Sequence, residues 1–147
     1  MVKSGCLLFL LLIGVNVLMA QEMDQDAKRV LVNFAKAVRK HDQQKVMNVM
    51  DRAYVAEQHD DLLQGNTSQF LNEFFSGPML NAPESFVVPA FNQIKKIVLI
   101  DSRRLSDTGS YEVNFKIILR DKRVLNRSWI LHQVQSENKY ALVGAVG

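Results

Sequence analysis

Ser110-Tyr111-Glu112-Val113-Asn114-Phe115-Lys116-Ile117-Ile118-Leu119-Arg120 alternates apolar and polar side chains over most of its length. Successive side chains of an extended chain point to opposite faces. Tyr111, Val113, Phe115, Ile117 and Leu119 therefore share one face, and Glu112, Asn114, Lys116 and Arg120 the other. This is the pattern of a strand with one side on a core. Further runs rich in Val, Ile, Leu and Tyr lie around it at 94–105, 124–134 and 140–146. The breaks between the four runs are Ser106-Asp107-Thr108-Gly109, Asp121-Lys122-Arg123 and Ser136-Glu137-Asn138-Lys139. Breaks this short join neighbouring antiparallel strands, because a parallel pair needs a long crossover. The last third of the chain reads as a four-stranded meander.

What precedes it is helical. Ala27, Val30, Leu31, Phe34 and Val38 recur at three- and four-residue spacing, predicting an amphipathic helix over about 24–40. Asp42 is placed to cap a second helix carrying Val46, Val49 and Met50 inward. Residues 51–64 stay helical in pattern until Gly65-Asn66, both tolerant of the left-handed conformation found past helix ends. Thr67 or Ser68 is expected to cap a third helix, with Phe70, Leu71, Phe74 and Phe75 on its apolar side and Gly77-Pro78 as its stop. Residues 79–93 read as a crossing loop with a brief extended piece at Phe86-Val87-Val88. Helices first and antiparallel strands last give an α+β class, with three to four N-terminal helices packed on a curled four-stranded sheet.

The first 20 residues have a different character. Lys3 precedes a short apolar core within the run Cys6 to Ala20, and Ala20 supplies a small residue before Gln21. This is the build of a secretory signal peptide, too short and too interrupted by Asn16 for a membrane span. Cleavage would leave 21–147 as a single domain with no stable membrane anchor. Cys6 is the sequence's one cysteine, so the mature domain would contain none. An exported domain without disulfides fits a bacterial periplasmic or secreted protein better than a small eukaryotic one. Net charge is +3, falling to +2 without Lys3, and no basic tract is present. Nucleic acid is therefore not an expected partner. Asn66-Thr67-Ser68 and Asn126-Arg127-Ser128 match the glycosylation acceptor pattern, which is common by chance.

The arrangement resembles the nuclear transport factor two-like (cystatin-like) superfamily, a cone of helices wrapped by a curled antiparallel sheet. Phe34-Ala35-Lys36-Ala37-Val38-Arg39-Lys40-His41-Asp42 is similar to the family's first helix and the aspartate that opens the second. Arg127-Ser128-Trp129-Ile130-Leu131 followed by Asn138-Lys139-Tyr140-Ala141-Leu142-Val143 resembles its closing hairpin, with Tyr140 where many members carry Trp. The likeness covers most of 24–146 and is nearest to exported bacterial members. The helical stretch 51–64 departs from the loop and short strand that many members have there. The resemblance implies a cavity between sheet and helices, and members that are isomerases, dehydratases or plain binding modules; fold alone does not choose among them.

Five side chains are candidates to line such a cavity: Phe34, Tyr54, Phe74, Phe115 and Trp129. Isomerase-like chemistry would need an aspartate base and an oxyanion site facing an apolar cavity, for which Asp101, His132 and Tyr54 are the candidates. No strand face carries two carboxylates at catalytic spacing, so a catalytic set is not evident. His41, His59 and His132 are scattered, which predicts no metal site. Neither a serine elbow nor a phosphate loop is present, and no cofactor is expected. Lys95, Lys96, Arg120, Lys122, Arg123 and Arg127 gather at one end of an up-and-down meander, where they either meet an acidic partner or keep the sheet soluble. The expectation is an exported module that binds a small molecule or a protein through its cavity or sheet face. An isomerase- or dehydratase-like enzyme is the alternative. A homodimer through the open sheet face, including Lys116 and Ile118, is a third class.

Overall fold

The computed structural model describes residues 23–76, 90–105, 108–134 and 139–144. The expected leader at 1–20, the expected stop at Gly77-Pro78 and the expected extended piece at Phe86-Val87-Val88 lie outside them. Helix α1 spans Gln25–Arg39, α2 Gln43–Asn48, α3 Arg52–Val55 and α4 Thr67–Ser76. A wide π-helical turn, Ala56–Leu62, continues α3, and a short 3-10 turn, Phe91–Gln93, leads into the sheet. The strands are β1 Ile94–Arg104, β2 Tyr111–Leu119, β3 Val124–Val134 and β4 Lys139–Val143. They pair antiparallel in the order β1-β2-β3-β4, the meander that the short breaks predict. The class is α+β, with the helices packed against a curled sheet.

Each helix start has its own cap. Asp24 accepts the amide of Asp26, Asp42 that of Lys45 and Asp51 that of Tyr54, satisfying donors that have no partner inside a first turn. Asn66 caps α4 through Gln69, one residue before the expected Thr67. The chain turns into α4 through Gln64 and Gly65, both at positive φ, while Asn66 does not take the left-handed conformation. Asp51 has a second duty. Its amide donates to Leu142 O at 2.8 Å, and Leu142 N donates to Val49 O at 2.9 Å, a parallel bridge that covers part of the outer edge of β4. Asp51→Ala is expected to cost about 1 kcal/mol of stability, the usual worth of such a cap. A denaturation midpoint equal to the wild type's would count against it.

The alternation in β2 is realised as read. Tyr111, Val113, Phe115, Ile117 and Leu119 are all buried. They face Ala27, Leu31, Phe34, Ala37 and Val38 of α1 and Phe70, Leu71, Phe74 and Phe75 of α4 in one core. Trp129 sits at its centre. Its indole stacks on Phe74 at 4.9 Å and meets Phe34 and Phe75 edge-on at 5.6 Å, and its Nε1–H donates to Phe74 O at 3.3 Å. Edge-to-face and offset pairs at these separations are the favoured aromatic geometries.

Candidate functional site

Four of the five expected cavity residues form this aromatic cluster themselves. Phe34, Phe74, Phe115 and Trp129 are each at most 4% exposed and lie ring against ring. Tyr54 stands at the cluster's edge, 6.4 Å from the Phe74 ring and 6.0 Å from Phe70. The centre of the space between sheet and helices is thus filled by these side chains.

A concavity opens beside the cluster, between α1 and β1. It has a volume of about 430 Å³. One wall is the α1 stripe Lys28, Leu31, Val32 and Ala35; the other is Leu99, Ile100, Asp101 and Ser102 of β1. Met23 and Phe115 complete the lining. Helical spacing sets the first wall on one face, since residues three, four and seven apart lie together. The second wall arises from a bulge. The register shifts between Leu99 and Asp101, so Ile100 is the extra residue and the strand's alternation breaks there. Val32, Leu99 and Ile100 remain 51%, 40% and 50% exposed.

Two sequence signals point to this groove. Val32 is apolar yet falls off the stripe that packs α1, and Ile97-Val98-Leu99-Ile100 is an unbroken apolar run in a strand with only one side on the core. Both mark apolar surface beyond what the core consumes.

Asp101 lines the groove and is exposed; its carboxylate accepts from Asn114 Nδ2, and Asn114 Oδ1 accepts from the Ser128 hydroxyl. This polar line runs across β1, β2 and β3. His132 is exposed on β3, opposite Ala141, two strands from Asp101 and so about 10 Å or more away. Tyr54 packs under the far edge of the sheet, beside Gly144. The three candidates for isomerase-like chemistry are not brought together.

Burial, and secondarily Glu73, pushes the Tyr54 hydroxyl above its ordinary pKa, opposed by a hydrogen bond with the Gly144 backbone. A raised tyrosine pKa means that the folded state favours the protonated ring. The stabilisation is full below the unfolded value of about 10 and is lost as pH rises through the folded one. Tyr140 is raised as well, first by burial and then by Asp24. Alkaline unfolding is therefore expected to be shallower in Tyr54→Phe than in the wild type, with Tyr140 acting equally in both. Superimposable pH profiles would contradict this.

The basic residues divide. Arg120 donates its amide to Gln93 O at 2.9 Å, which brings the Lys95–Lys96 end of β1 to the hairpin carrying Lys122 and Arg123. Asp121 sits inside this group and pairs with Arg123 at 2.7 Å. Arg127 turns the other way. It is half-buried, and its Nε donates to Phe75 O at 3.0 Å in the last turn of α4, where a cation suits the helix dipole. Burial lowers its pKa from the ordinary guanidinium value. The histidines are separate, too. His41 donates from Nε2 to Ile94 O at 2.6 Å, while His59 bridges Asp60 and Thr67 at 2.6 and 2.9 Å. Among the described residues no three His, Cys, Asp or Glu side chains lie together as a metal site would require, and no helix is long and apolar enough to cross a membrane.

No protein-family model, no curated protein and no solved structure matches the chain.

Proposed function

We propose that this chain is an exported binding domain of the nuclear transport factor two-like kind, whose ligand is a small, mainly apolar molecule held in the groove between α1 and β1. The groove's lining carries the reading. A concavity of about 430 Å³ bounded by Met23, Leu31, Val32, Ala35, Leu99, Ile100 and Phe115, with Lys28, Asp101 and Ser102 as its polar groups, has the size and mixture of a small-ligand site. Apolar surface left exposed on both walls favours an apolar body, at about 25 cal/mol per Å² removed from water. The polar groups favour a ligand with one polar end. Helices followed by a meander support the superfamily assignment. The Lys3 start, apolar core and Ala20 support export, with a mature chain from Gln21.

The test uses protein beginning at Gln21. Gentle purification followed by native mass spectrometry should show a bound small molecule, or uptake of 1-anilinonaphthalene-8-sulfonate with enhanced fluorescence. Val32→Asp places a charge on the exposed α1 wall without touching the core, and it should weaken probe binding about tenfold, equivalent to 1.4 kcal/mol. Equal affinity in wild type and Val32→Asp would sink the assignment of the groove.

A further inference from the structure

A second concavity, of about 380 Å³, lies between α1 and α2. Asn33, Lys36 and Lys40 stand on its α1 side, and Lys45 and Asn48 on its α2 side. Ala37 and Val49 supply its apolar lining. Positions 33, 36, 37 and 40 share one face of α1, because residues three, four and seven apart lie together on a helix. None of these side chains borders the groove between α1 and β1, so the two sites stand or fall separately.

The charges do not cancel. Among the described residues three ammonium groups and no carboxylate line the concavity. Asp42, the cap of α2, pairs with Lys45 at 3.7 Å and offsets that charge in part. Lys36 and Lys40 make no ion pair among the described residues. They are four positions apart on one helical face, where like charges repel. The negative end of the α1 dipole amounts to about half a charge, too little to account for Lys36, Arg39 and Lys40 together. What would compensate Lys36 and Lys40 is an anion of two charges.

The donor set narrows its chemistry. All three cations are lysines, point charges that can reach a tetrahedral group from different directions, whereas a planar carboxylate suits the fork of an arginine. Asn48 keeps its Nδ2 to donate, since its Oδ1 accepts from Gln44, and Asn33 offers a second amide. We propose that this concavity binds the phosphate monoester group of a small soluble molecule. Lys36 and Lys40 hold the phosphoryl oxygens, Lys45 and the two asparagines complete the set, and Ala37 and Val49 meet the first apolar atoms of the ligand's body.

The probe is phenyl phosphate, titrated into the ¹⁵N-labelled chain from Gln21 and followed by backbone and asparagine side-chain amide shifts. Binding is expected at about millimolar strength or tighter, with shifts centred on residues 33–49 and weakening as salt is raised. Phenol, which has the ring without the charge, should produce no such shifts. Lys36→Gln with Lys40→Gln should weaken binding at least about tenfold. Arg29→Gln with Arg39→Gln removes the same charge from the same helix outside the concavity and should leave it within about threefold. Co-sedimentation with phosphatidylcholine vesicles should not rise when phosphatidic acid is included. Absence of shifts at 33–49 overturns the proposal. So does equal weakening in the two double variants, which would reduce the effect to attraction by net charge. Binding to phosphatidic acid vesicles that is lost in the Lys36→Gln, Lys40→Gln variant would give the concavity to a lipid headgroup and overturn the soluble ligand.

Discussion

Trp129→Ala is expected to lower the unfolding free energy by about 3–5 kcal/mol, the range for truncating a large core aromatic. A domain of this size has about 5–15 kcal/mol to lose. The effect is large because Trp129 touches both helical walls and the neighbouring strand at once. It stacks on Phe74 of α4, meets Phe34 of α1 edge-on, and lies 5.4 Å from Phe115 of β2. Removing it leaves four rings, Phe34, Phe74, Phe75 and Phe115, facing a void. The Phe74 carbonyl also loses the indole N–H. Trp129→Phe keeps most of the apolar contact and should recover more than half of the loss. Urea unfolding followed by far-ultraviolet circular dichroism measures both, and a loss below about 1 kcal/mol for the alanine variant would refute a filled interior. A cavity large enough for a ligand at this place would show as tolerance of the truncation.

Gly144→Ala is expected to cost about 1–3 kcal/mol, although the backbone there is not in a conformation reserved for glycine. The cause is close approach. A methyl at Gly144 would stand 2.2 Å from the Tyr54 hydroxyl and 2.9 Å from the ring carbon bearing it. Tyr54 cannot simply swing away, because Phe70 and Phe74 flank its ring. Its hydrogen bond with the Gly144 backbone would be lost as well. Either Tyr54 lifts off Phe74 or the end of β4 moves off the sheet. Tyr54→Phe combined with Gly144→Ala should cost less than the sum of the single changes, since removing the hydroxyl relieves the closest contact. Simple additivity in a double-mutant cycle would count against the clash.

The second prediction concerns the pinning of β4. Tyr54 comes from α3, in the stretch 51–64, and Asp51 just before that helix bonds to Leu142. The stretch closes the last strand against the helices. The wide turn Ala56–Leu62 that follows carries His59 onto Phe70 and Thr67, so this stretch is anchored at both ends.

The order of elements, the antiparallel meander and the buried face of β2 were legible in the sequence because they rest on period and loop length. Alternation over Tyr111–Leu119 and breaks of three or four residues permit few arrangements. The cap at Asp42 was readable for a similar reason: a short acidic side chain before an amphipathic run acts locally. Where the apolar side chains would leave space was not readable. Phe34, Phe74, Phe115 and Trp129 are candidates for a cavity wall or for a core on equal terms until their rings are placed, since only three-dimensional packing decides whether they face each other or a void. Only the tertiary structure turned them inward on one another and put the open space between α1 and β1. It did so at the extra residue Ile100, whose bulge breaks the alternation and turns apolar strand surface outward, something the letters Ile97-Val98-Leu99-Ile100 allow without requiring.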